Sequence, residues 1–176
     1  LLECARVHNV KKLIFTSSAA VYGESYPTLE PINAYGLSKL QCEQWIKFYS
    51  QYVEVIVMRL GNVYGKNGKG VINQFITKLK NNEPLTIRGY GMQVRNYVNV
   101  EDVIRIIDEH LTNYAQYLEV DVASDELITI WDLVKVFSEV IKNPLSLTFI
   151  EGQEEIEKSL IKAYNCNIRL KEGIEK

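Results

Sequence analysis

The chain has 176 residues, 47% hydrophobic and 24% charged, which is typical of one globular domain with a sizeable core. Its net charge of −2 argues against a nucleic-acid or anionic-membrane surface. Three well-separated cysteines and two histidines indicate neither a disulfide framework nor a metal site. The apolar runs are too short for a membrane span and the first residues carry no signal pattern, so we expect a cytoplasmic protein.

The first third of the sequence predicts the alternation of strand and helix that builds parallel sheets. Residues 1–9 suit a helix, and residues 11–18 suit a buried strand that runs into a Gly-, Pro- and Asn-rich loop. A helix follows at about 34–50, with an apolar stripe that comprises Leu37, Leu40, Ile46, Phe48 and Tyr49. Residues 53–60 are β-branched without alternation, as in a strand covered on both faces. This order predicts parallel strands with a right-handed crossover.

After residue 65 the elements become shorter and mixed. The patterns predict helices at 71–80, 101–113 and 128–142, strands at 85–88, 95–100, 118–122 and 146–150, and a charged helical tail at 154–176. Thr129 is the expected cap of the third of these helices. We therefore predict an α/β fold in which residues 1–65 form the C-terminal part of a Rossmann-like doubly wound parallel sheet. Residues 66–176 would form a smaller α+β portion, with a ligand cleft between the two.

The stretch YGLSK (35–39) places a phenol and an ammonium one helical turn apart, on the same face. A nearby ammonium stabilises a phenolate, which can take a proton from an alcohol. Ser17 and Ser18 end a predicted strand, where a doubly wound sheet holds its ligand, and a serine hydroxyl can hold the same oxygen. Such a set suits hydride chemistry, for which a nicotinamide is needed. Taken alone, the two serines could be turn residues, and Tyr35 and Lys39 could be ordinary residues of a helix surface.

The combination of four motifs favours a catalytic role for these residues. The motifs follow one another along the chain: TSSAAVYG (16–23), PINAYGLSK (31–39), VEVIVMRLGNVYG (53–65) and VRNYVNVEDV (94–103). Together they closely resemble the extended short-chain dehydrogenase/reductase family, the NAD-dependent sugar epimerases and dehydratases. Within that family they are most similar to UDP-glucose 4-epimerase-like enzymes. The resemblance extends over nearly the whole chain and implies that residues 1–65 are the second half of an NAD-binding domain, while residues 66–176 mainly bind the nucleotide sugar.

The resemblance also implies roles for single residues. Ser18 would be the substrate-binding serine, Tyr35 the catalytic base, and Lys39 its electrostatic partner that also holds the nicotinamide ribose. Ser17 would join Tyr35 and Lys39 among the cofactor contacts.

Three further positions would bind the nucleotide sugar. By resemblance, Asn62 would contact the ligand, Val71 would approach the nucleotide through its main chain, and Arg95 would pair with the diphosphate through its fork-shaped guanidinium. Without the resemblance, the same residues could be a turn residue, a core residue and a surface charge.

Two departures from the family pattern shape the expected function. The dehydratases carry an acidic pair directly after the serine or threonine, whereas this chain has Ala19 and Ala20, which favours epimerase or simple redox chemistry. The Gly-rich turn that meets the NAD pyrophosphate is absent from the sequence. Roughly half of the NAD-binding domain is therefore expected to precede Leu1, and this chain alone should bind NAD weakly or not at all.

The expected function is that of an NAD-dependent nucleotide-sugar epimerase, which transiently oxidises C4 of a UDP-sugar with Tyr35 as base and is a homodimer when full-length. Two alternatives stay open. One is a nucleotide-sugar reductase or dehydrogenase on the same scaffold. The other is a non-catalytic fragment that lacks the NAD-binding half and leaves an apolar sheet edge open to a partner chain.

Overall fold

The structure, a computed structural model, describes residues 1–151, 158–159, 161, 164 and 166–175. The helices are α1 (Leu2–Val7), α2 (Ala34–Tyr49), α3 (Val71–Lys80), α4 (Val100–Thr112), α5 (Ile130–Ile141) and α6 (Leu170–Glu175). The strands are β1 (Lys12–Ser18), β2 (Glu54–Leu60), β3 (Asn62–Tyr64), β4 (Leu85–Arg88), β5 (Val94–Asn99), β6 (Tyr117–Val122), β7 (Leu127–Ile128), β8 (Leu147–Ile150) and β9 (Lys158–Ser159). A 3₁₀ turn, Ala19–Val21, follows β1 directly.

The first sheet is fully parallel, with the strand order β1-β2-β6, which confirms the predicted α/β fold. Ser18 at the end of β1 lies opposite Leu60 at the end of β2, so the carboxyl ends of the two strands form one edge. Among the described strands, β1 pairs with β2 alone and forms the edge of this sheet. The third strand, β6, comes from the segment 66–176, so the sheet combines both predicted segments.

Helices cover both faces of β2, which explains why its sequence does not alternate. On one face Val55 and Val57 pack with Ile46 of α2. On the other face Ile56 and Met58 pack with residues of α4. All four of these β2 side chains are inaccessible to solvent, as the β-branched run predicted.

The second part of the chain has its own sheets and core. Strand β5 pairs in parallel with β3 and β9 and antiparallel with β7, and β4 pairs in parallel with β8. Helices α3 and α5 contribute Phe75 and Phe137, whose rings meet edge to face at 5.7 Å between centroids. Strand β4 contributes Leu85 and Ile87 to the same core, both fully buried.

The predicted apolar stripe of α2 is right at Ile46, which is buried, and at Leu40, which packs against a core cluster, but it is wrong at Leu37 and Phe48. Leu37 and Phe48 are 48% and 61% exposed, and the buried positions of the helix are Gly36, Glu43 and Ile46. Gly36 and Glu43 carry no hydrophobic signal. Gly36 is buried because it makes a close backbone contact, and Glu43 is buried because it forms an ion pair. Hydrophobicity therefore identified the inward face at Leu40 and Ile46 and missed it at Gly36 and Glu43.

Other predicted elements need smaller corrections. The strands β3, β7 and β9 were not predicted, since a pair or trio of residues is too short to show a period. Helix α5 begins at Ile130 instead of 128, and Thr129 is its cap as expected, in a reciprocal capping box with Asp132. Of the predicted helical tail, the described residues contain helix α6, and Lys158–Ser159 is a strand. Much of the remainder of that tail lies outside the described residues.

In the part of the chain that the structure describes, no helix combines the length and apolarity needed to cross a bilayer. The same residues contain no cluster of three or more His, Cys, Asp or Glu side chains suited to a metal ion.

Candidate active site

The N-terminus of α2 lies directly against the turn that follows β1. Asn33 caps the helix, and its side chain accepts a hydrogen bond from the Gly36 amide at 2.8 Å. A Cβ at Gly36 would fall well inside van der Waals contact with the main-chain carbonyl oxygen of Ala20. Only a glycine allows this approach, and it brings Tyr35, the preceding residue, beside the turn.

The turn itself begins at Ser18, whose hydroxyl accepts a hydrogen bond from the Ala20 amide at 3.2 Å. Ser18 is therefore both the last residue of β1 and the cap of the 3₁₀ turn. Its hydroxyl hydrogen is not used by that contact, so the group can still donate to a ligand.

A cavity of about 270 Å³ lies between this turn, the start of α2 and the end of β2. Its lining includes four of the residues predicted from the sequence: Ser18, Tyr35, Asn62 and Arg95. Ala19 and Ala20 also line it, and among the lining residues the carboxylate is supplied by Glu24. We call this space the inner cavity.

A second cavity of about 640 Å³ shares Asn62 and Arg95 with the inner cavity. We call it the outer cavity; it is further lined by Val71, Lys78 and Arg88. The three substrate-binding residues predicted beyond Ser18 all border it. The two cavities are therefore neighbours on either side of Asn62 and Arg95, the smaller one lined by Tyr35 and the larger one lined by cationic side chains.

Lys39 lies one turn after Tyr35, on the side of α2 that faces β1. Its Nζ donates to the carbonyl oxygen of Thr16 at 2.9 Å. The same atom lies 5.8 Å from the centre of the Tyr35 ring and 5.0 Å from that of Phe15. The predicted Tyr–Lys pair thus shares one helix face, and the Tyr35 side chain is 56% exposed beside the inner cavity.

Ser17 does not line either cavity. Its side chain is buried, and its hydroxyl donates to the carboxylate of Glu43 on α2. The predicted cofactor contact of Ser17 stays a prediction, and the structure gives its hydroxyl a partner inside the protein.

Sequence reasoning missed the ion pair behind the site. Glu43 and Arg59 are both buried, with Nη2 of Arg59 2.7 Å from Oε2 of Glu43. Arg59 also donates to the Tyr22 hydroxyl at 2.8 Å, and that hydroxyl donates to Asp121 at 2.8 Å. Burial raises the pKa of Tyr22 and of Asp121, since both lose water around their charged forms. The available signal was a charged residue within the apolar run VEVIVMRL.

Strand β5 carries two neighbouring polar residues with different tasks. Arg95 borders both cavities, whereas Asn96 is buried, and its amide donates to the carbonyl oxygen of Ser124 at 3.0 Å. The side-chain oxygen of Asn96 accepts from the amide of Ile161 at 3.2 Å. Asn96 therefore ties β5 to two other segments and holds Arg95 at the junction of the cavities.

Comparison with known proteins agrees with this geometry. The sequence model of the NAD dependent epimerase/dehydratase family matches residues 1–122. The chain belongs to this family. Its fold, in which a parallel strand carries the serine and the helix that follows carries the tyrosine and the lysine, is that of the Rossmann-like epimerase structures. NAD is the cofactor of the family.

Individual relatives include both epimerases and dehydratases. A putative UDP-glucose 4-epimerase of Methanocaldococcus jannaschii is 38% identical over 121 residues, which cover 60% of this chain and 39% of the relative. The human dTDP-D-glucose 4,6-dehydratase is 35% identical over 116 residues, covering 59% and 33%. The solved UDP-glucose 4-epimerase of Thermotoga maritima, with UDP-glucose, superposes with a TM-score of 0.88 at 26% identity over 99% of this chain and 64% of that chain. The chain thus spans less than two thirds of each of these proteins.

Proposed function

We propose that this chain supplies the catalytic tyrosine and the nucleotide-sugar site of an NAD-dependent 4-epimerase that acts on a UDP-sugar. The observation that carries the proposal is the pair of neighbouring cavities: Ser18 and Tyr35 line the inner one, and Arg95 borders both. A sugar in the inner cavity and a nucleotide diphosphate in the outer cavity would match the size and charge of the two.

In this proposal Tyr35 takes the proton of the sugar 4-hydroxyl. Ser18 holds the same oxygen by donating its hydroxyl hydrogen, which its contact with the Ala20 amide leaves available. The ammonium of Lys39, on the same helix face as the phenol, would stabilise the phenolate form in which Tyr35 accepts that proton. Ser18 and Tyr35 then return the proton when the sugar is reduced on its other face.

The residues present fit the nicotinamide end of NAD, which accepts and returns the hydride when bound. Tyr35 is more than half exposed, and Lys39 has three ammonium hydrogens, one of which goes to Thr16. Both side chains could therefore hold the nicotinamide ribose. The residues 1–65 would form the second half of the NAD-binding domain, and the residues 66–176 would mainly bind the nucleotide sugar.

The cationic wall of the outer cavity supports the choice of a nucleotide diphosphate. Arg95 and Arg88 contribute guanidinium groups and Lys78 an ammonium group that also bonds Thr86. Guanidinium groups are suited to phosphate because they offer parallel N–H donors. The main chain at Val71, the first residue of α3, would approach the base.

The outer side of α2 supports the proposal that the full-length enzyme is a homodimer. Leu37, Trp45 and Phe48 are 48%, 64% and 61% exposed along this helix. Large apolar side chains in a row on one helix are more often covered by a partner than left in water.

Product analysis tests the proposed function. The complete enzyme that contains this chain is incubated with UDP-glucose and NAD, and the sugars and NADH are quantified. We expect UDP-glucose and UDP-galactose to reach equilibrium without net NADH. Net NADH would favour the alternative dehydrogenase, and a 4-keto-6-deoxy sugar would indicate a dehydratase in which an acid such as Glu24 replaces the missing pair at Ala19 and Ala20. A complete protein that turns over none of these sugars would favour the non-catalytic alternative.

A further inference from the structure

The inward face of α2 continues beyond Tyr35 and Lys39 to a third functional position. Glu43 lies four residues after Lys39, so the three side chains are stacked along one face of the helix. Glu43 is 3% exposed although glutamate is among the residues least often buried. A buried carboxylate in line with the two proposed catalytic side chains calls for a physical explanation.

Glu43 is held from two strands at once. From β2, Nε of Arg59 donates to both carboxylate oxygens, at 3.2 and 3.1 Å, and Nη2 donates to Oε2 at 2.7 Å. From β1, the hydroxyl of Ser17 donates to Oε1. Ser17 and Arg59 are neighbours in the sheet register, so they form a fixed cradle under α2. Hydrogen bonds from two strands therefore constrain both the rotation and the axial position of the helix that carries Glu43.

Arg59 also contacts the residue that follows the serine turn. Its Nη1 donates to the hydroxyl of Tyr22, which lies directly after the turn that carries Ala19 and Ala20. A further contact joins its Nη2 to Glu119 on β6 at 3.0 Å. One guanidinium thus links the helix that carries Tyr35 to the turn that carries Ser18.

An ion pair of this kind is a poor source of stability. Removing two charges from water costs about as much as their attraction returns, and well-packed apolar residues of similar size often replace such a pair without loss. An apolar pair cannot reproduce the directionality of these hydrogen bonds. Hydrophobic contacts tolerate sliding and rotation of a helix, whereas a forked hydrogen bond does not.

We propose that the Glu43–Arg59 ion pair is a positioning device that fixes the rotation and height of α2, and so sets the Tyr35 hydroxyl and the Lys39 ammonium relative to Ser18. The inference rests on the proposed function for the meaning of that position, but the position itself can be measured without any substrate. Neither Glu43 nor Arg59 lines the two cavities, so both act through other residues.

Tyrosine-ring NMR of the folded chain tests the proposal. The chain is labelled with ring-¹³C tyrosine, and the Tyr35 signal is assigned with Tyr35→Phe. In Glu43→Gln, and in the double variant Glu43→Met with Arg59→Met, we expect the Tyr35 signal to shift or broaden while the chain stays folded. Tyr90 and Tyr114, which are 70% and 75% exposed, should keep their signals.

Glu139→Gln is the matched control, because Glu139 forms an exposed ion pair with Lys171 at 2.9 Å away from α2. It should leave the Tyr35 signal unchanged. In the complete enzyme, kcat of Glu43→Gln should fall about 10- to 100-fold with little change in KM, as expected when reacting groups are misplaced by a fraction of an ångström to an ångström.

The possible outcomes distinguish a positioning role of the Glu43–Arg59 ion pair from a role in the stability of the fold. A folded variant with an unchanged Tyr35 signal would overturn the proposal, and so would a Glu43→Gln chain that fails to fold, because the pair would then serve folding instead of position. If only the double variant fails to fold, the Tyr35 signal of Glu43→Gln decides between these two roles. A complete enzyme without sugar turnover would refute the proposed function and leave the shift of the Tyr35 signal to judge the positioning role.

Discussion

The Cα of Gly36 packs against the main-chain carbonyl of Ala20, and this contact joins the tyrosine helix to the serine turn. Alanine at position 36 would improve helix propensity by about 1 kcal/mol. Its methyl group would nevertheless meet a backbone oxygen that cannot rotate away. The contact therefore decides how close Tyr35 can come to Ser18.

We predict that Gly36→Ala destabilises the chain by about 1–3 kcal/mol, the usual cost of overpacking, in spite of the gain in propensity. Urea unfolding followed by circular dichroism measures this change. Gln41→Ala, at an exposed position of the same helix, is the control and should change the free energy of unfolding by less than about 0.5 kcal/mol. A Gly36→Ala chain that is more stable than the parent would contradict this prediction, because the turn would then have moved to accommodate the methyl group.

The proposed base is tested by removing one oxygen. Tyr35→Phe should lower kcat of the complete enzyme by about 10²–10⁴-fold, the contribution expected from a general base. Ser18→Ala should lower it by about tenfold, the effect of one lost hydrogen bond. Tyr90→Phe is the control, since Tyr90 is 70% exposed and borders neither cavity. Full activity in Tyr35→Phe would assign the proton transfer to another group.

Asp102 makes the stability of the chain depend on pH. Burial raises the pKa of its carboxyl, but hydrogen bonds from the amides of Asn167 and Ile168 and from Arg105 outweigh burial and lower the pKa below its ordinary value. A lowered folded pKa stabilises the fold above the unfolded pKa of about 3.9 and loses this contribution as the pH falls through the folded value. Unfolding free energies between neutral pH and pH of about 3 should therefore drop more in the parent than in Asp102→Asn.

The control for this pH dependence is a carboxyl group that lacks the amide contacts of Asp102. Asp108→Asn, at an exposed position of the same helix, should retain the acid-induced loss of the parent chain. Equal pH dependence in Asp102→Asn and in the parent would show that Asp102 is not the group responsible.

Thiol reactivity reports on the packing of the C-terminal segment. Burial, followed by the charge of Asp102, raises the pKa of Cys166 to about 11, so that little thiolate exists near pH 8. Cys4 and Cys42 are exposed. In the native chain we expect two cysteines to react rapidly with iodoacetamide and Cys166 to react slowly, whereas all three should react alike in denaturant. Rapid native labelling of Cys166 would contradict the described packing.

The sequence predicted the bounds of α2 to within one residue, but it predicted only part of the buried face of this helix. Tyr35 and Lys39 could be placed on one face because their spacing alone fixes their relation. Ser18, Asn62 and Arg95 lie in three different strands, and the resemblance to a family was needed to predict that they share one site. Glu43 was missed because an ion pair between a helix and a strand leaves no local pattern.

The same reasoning explains why Leu37 and Phe48 were wrongly assigned to the buried stripe of α2. Phe48 was assigned to the core by its hydrophobicity, but it lies on the outer side, where the proposed dimer would cover it. Hydrophobic periodicity cannot distinguish a core from a surface that a partner buries. Short strands such as β3 depend on pairing with β5, a contact between distant parts of the chain that a local pattern does not encode.

The central claim is that the two cavities form one nucleotide-sugar site, and NMR titration of the ¹⁵N-labelled chain with UDP-glucose tests it most directly. We expect the amide signals of Ser18, Asn62 and Val71 to shift together with one dissociation constant. Arg95→Met should weaken binding about tenfold or more, as expected for a lost charge-assisted pair. Arg6→Met, which breaks an exposed ion pair with Glu3, should leave the dissociation constant unchanged. Shifts confined to other surfaces, or equal binding by Arg95→Met and the parent chain, would contradict the account.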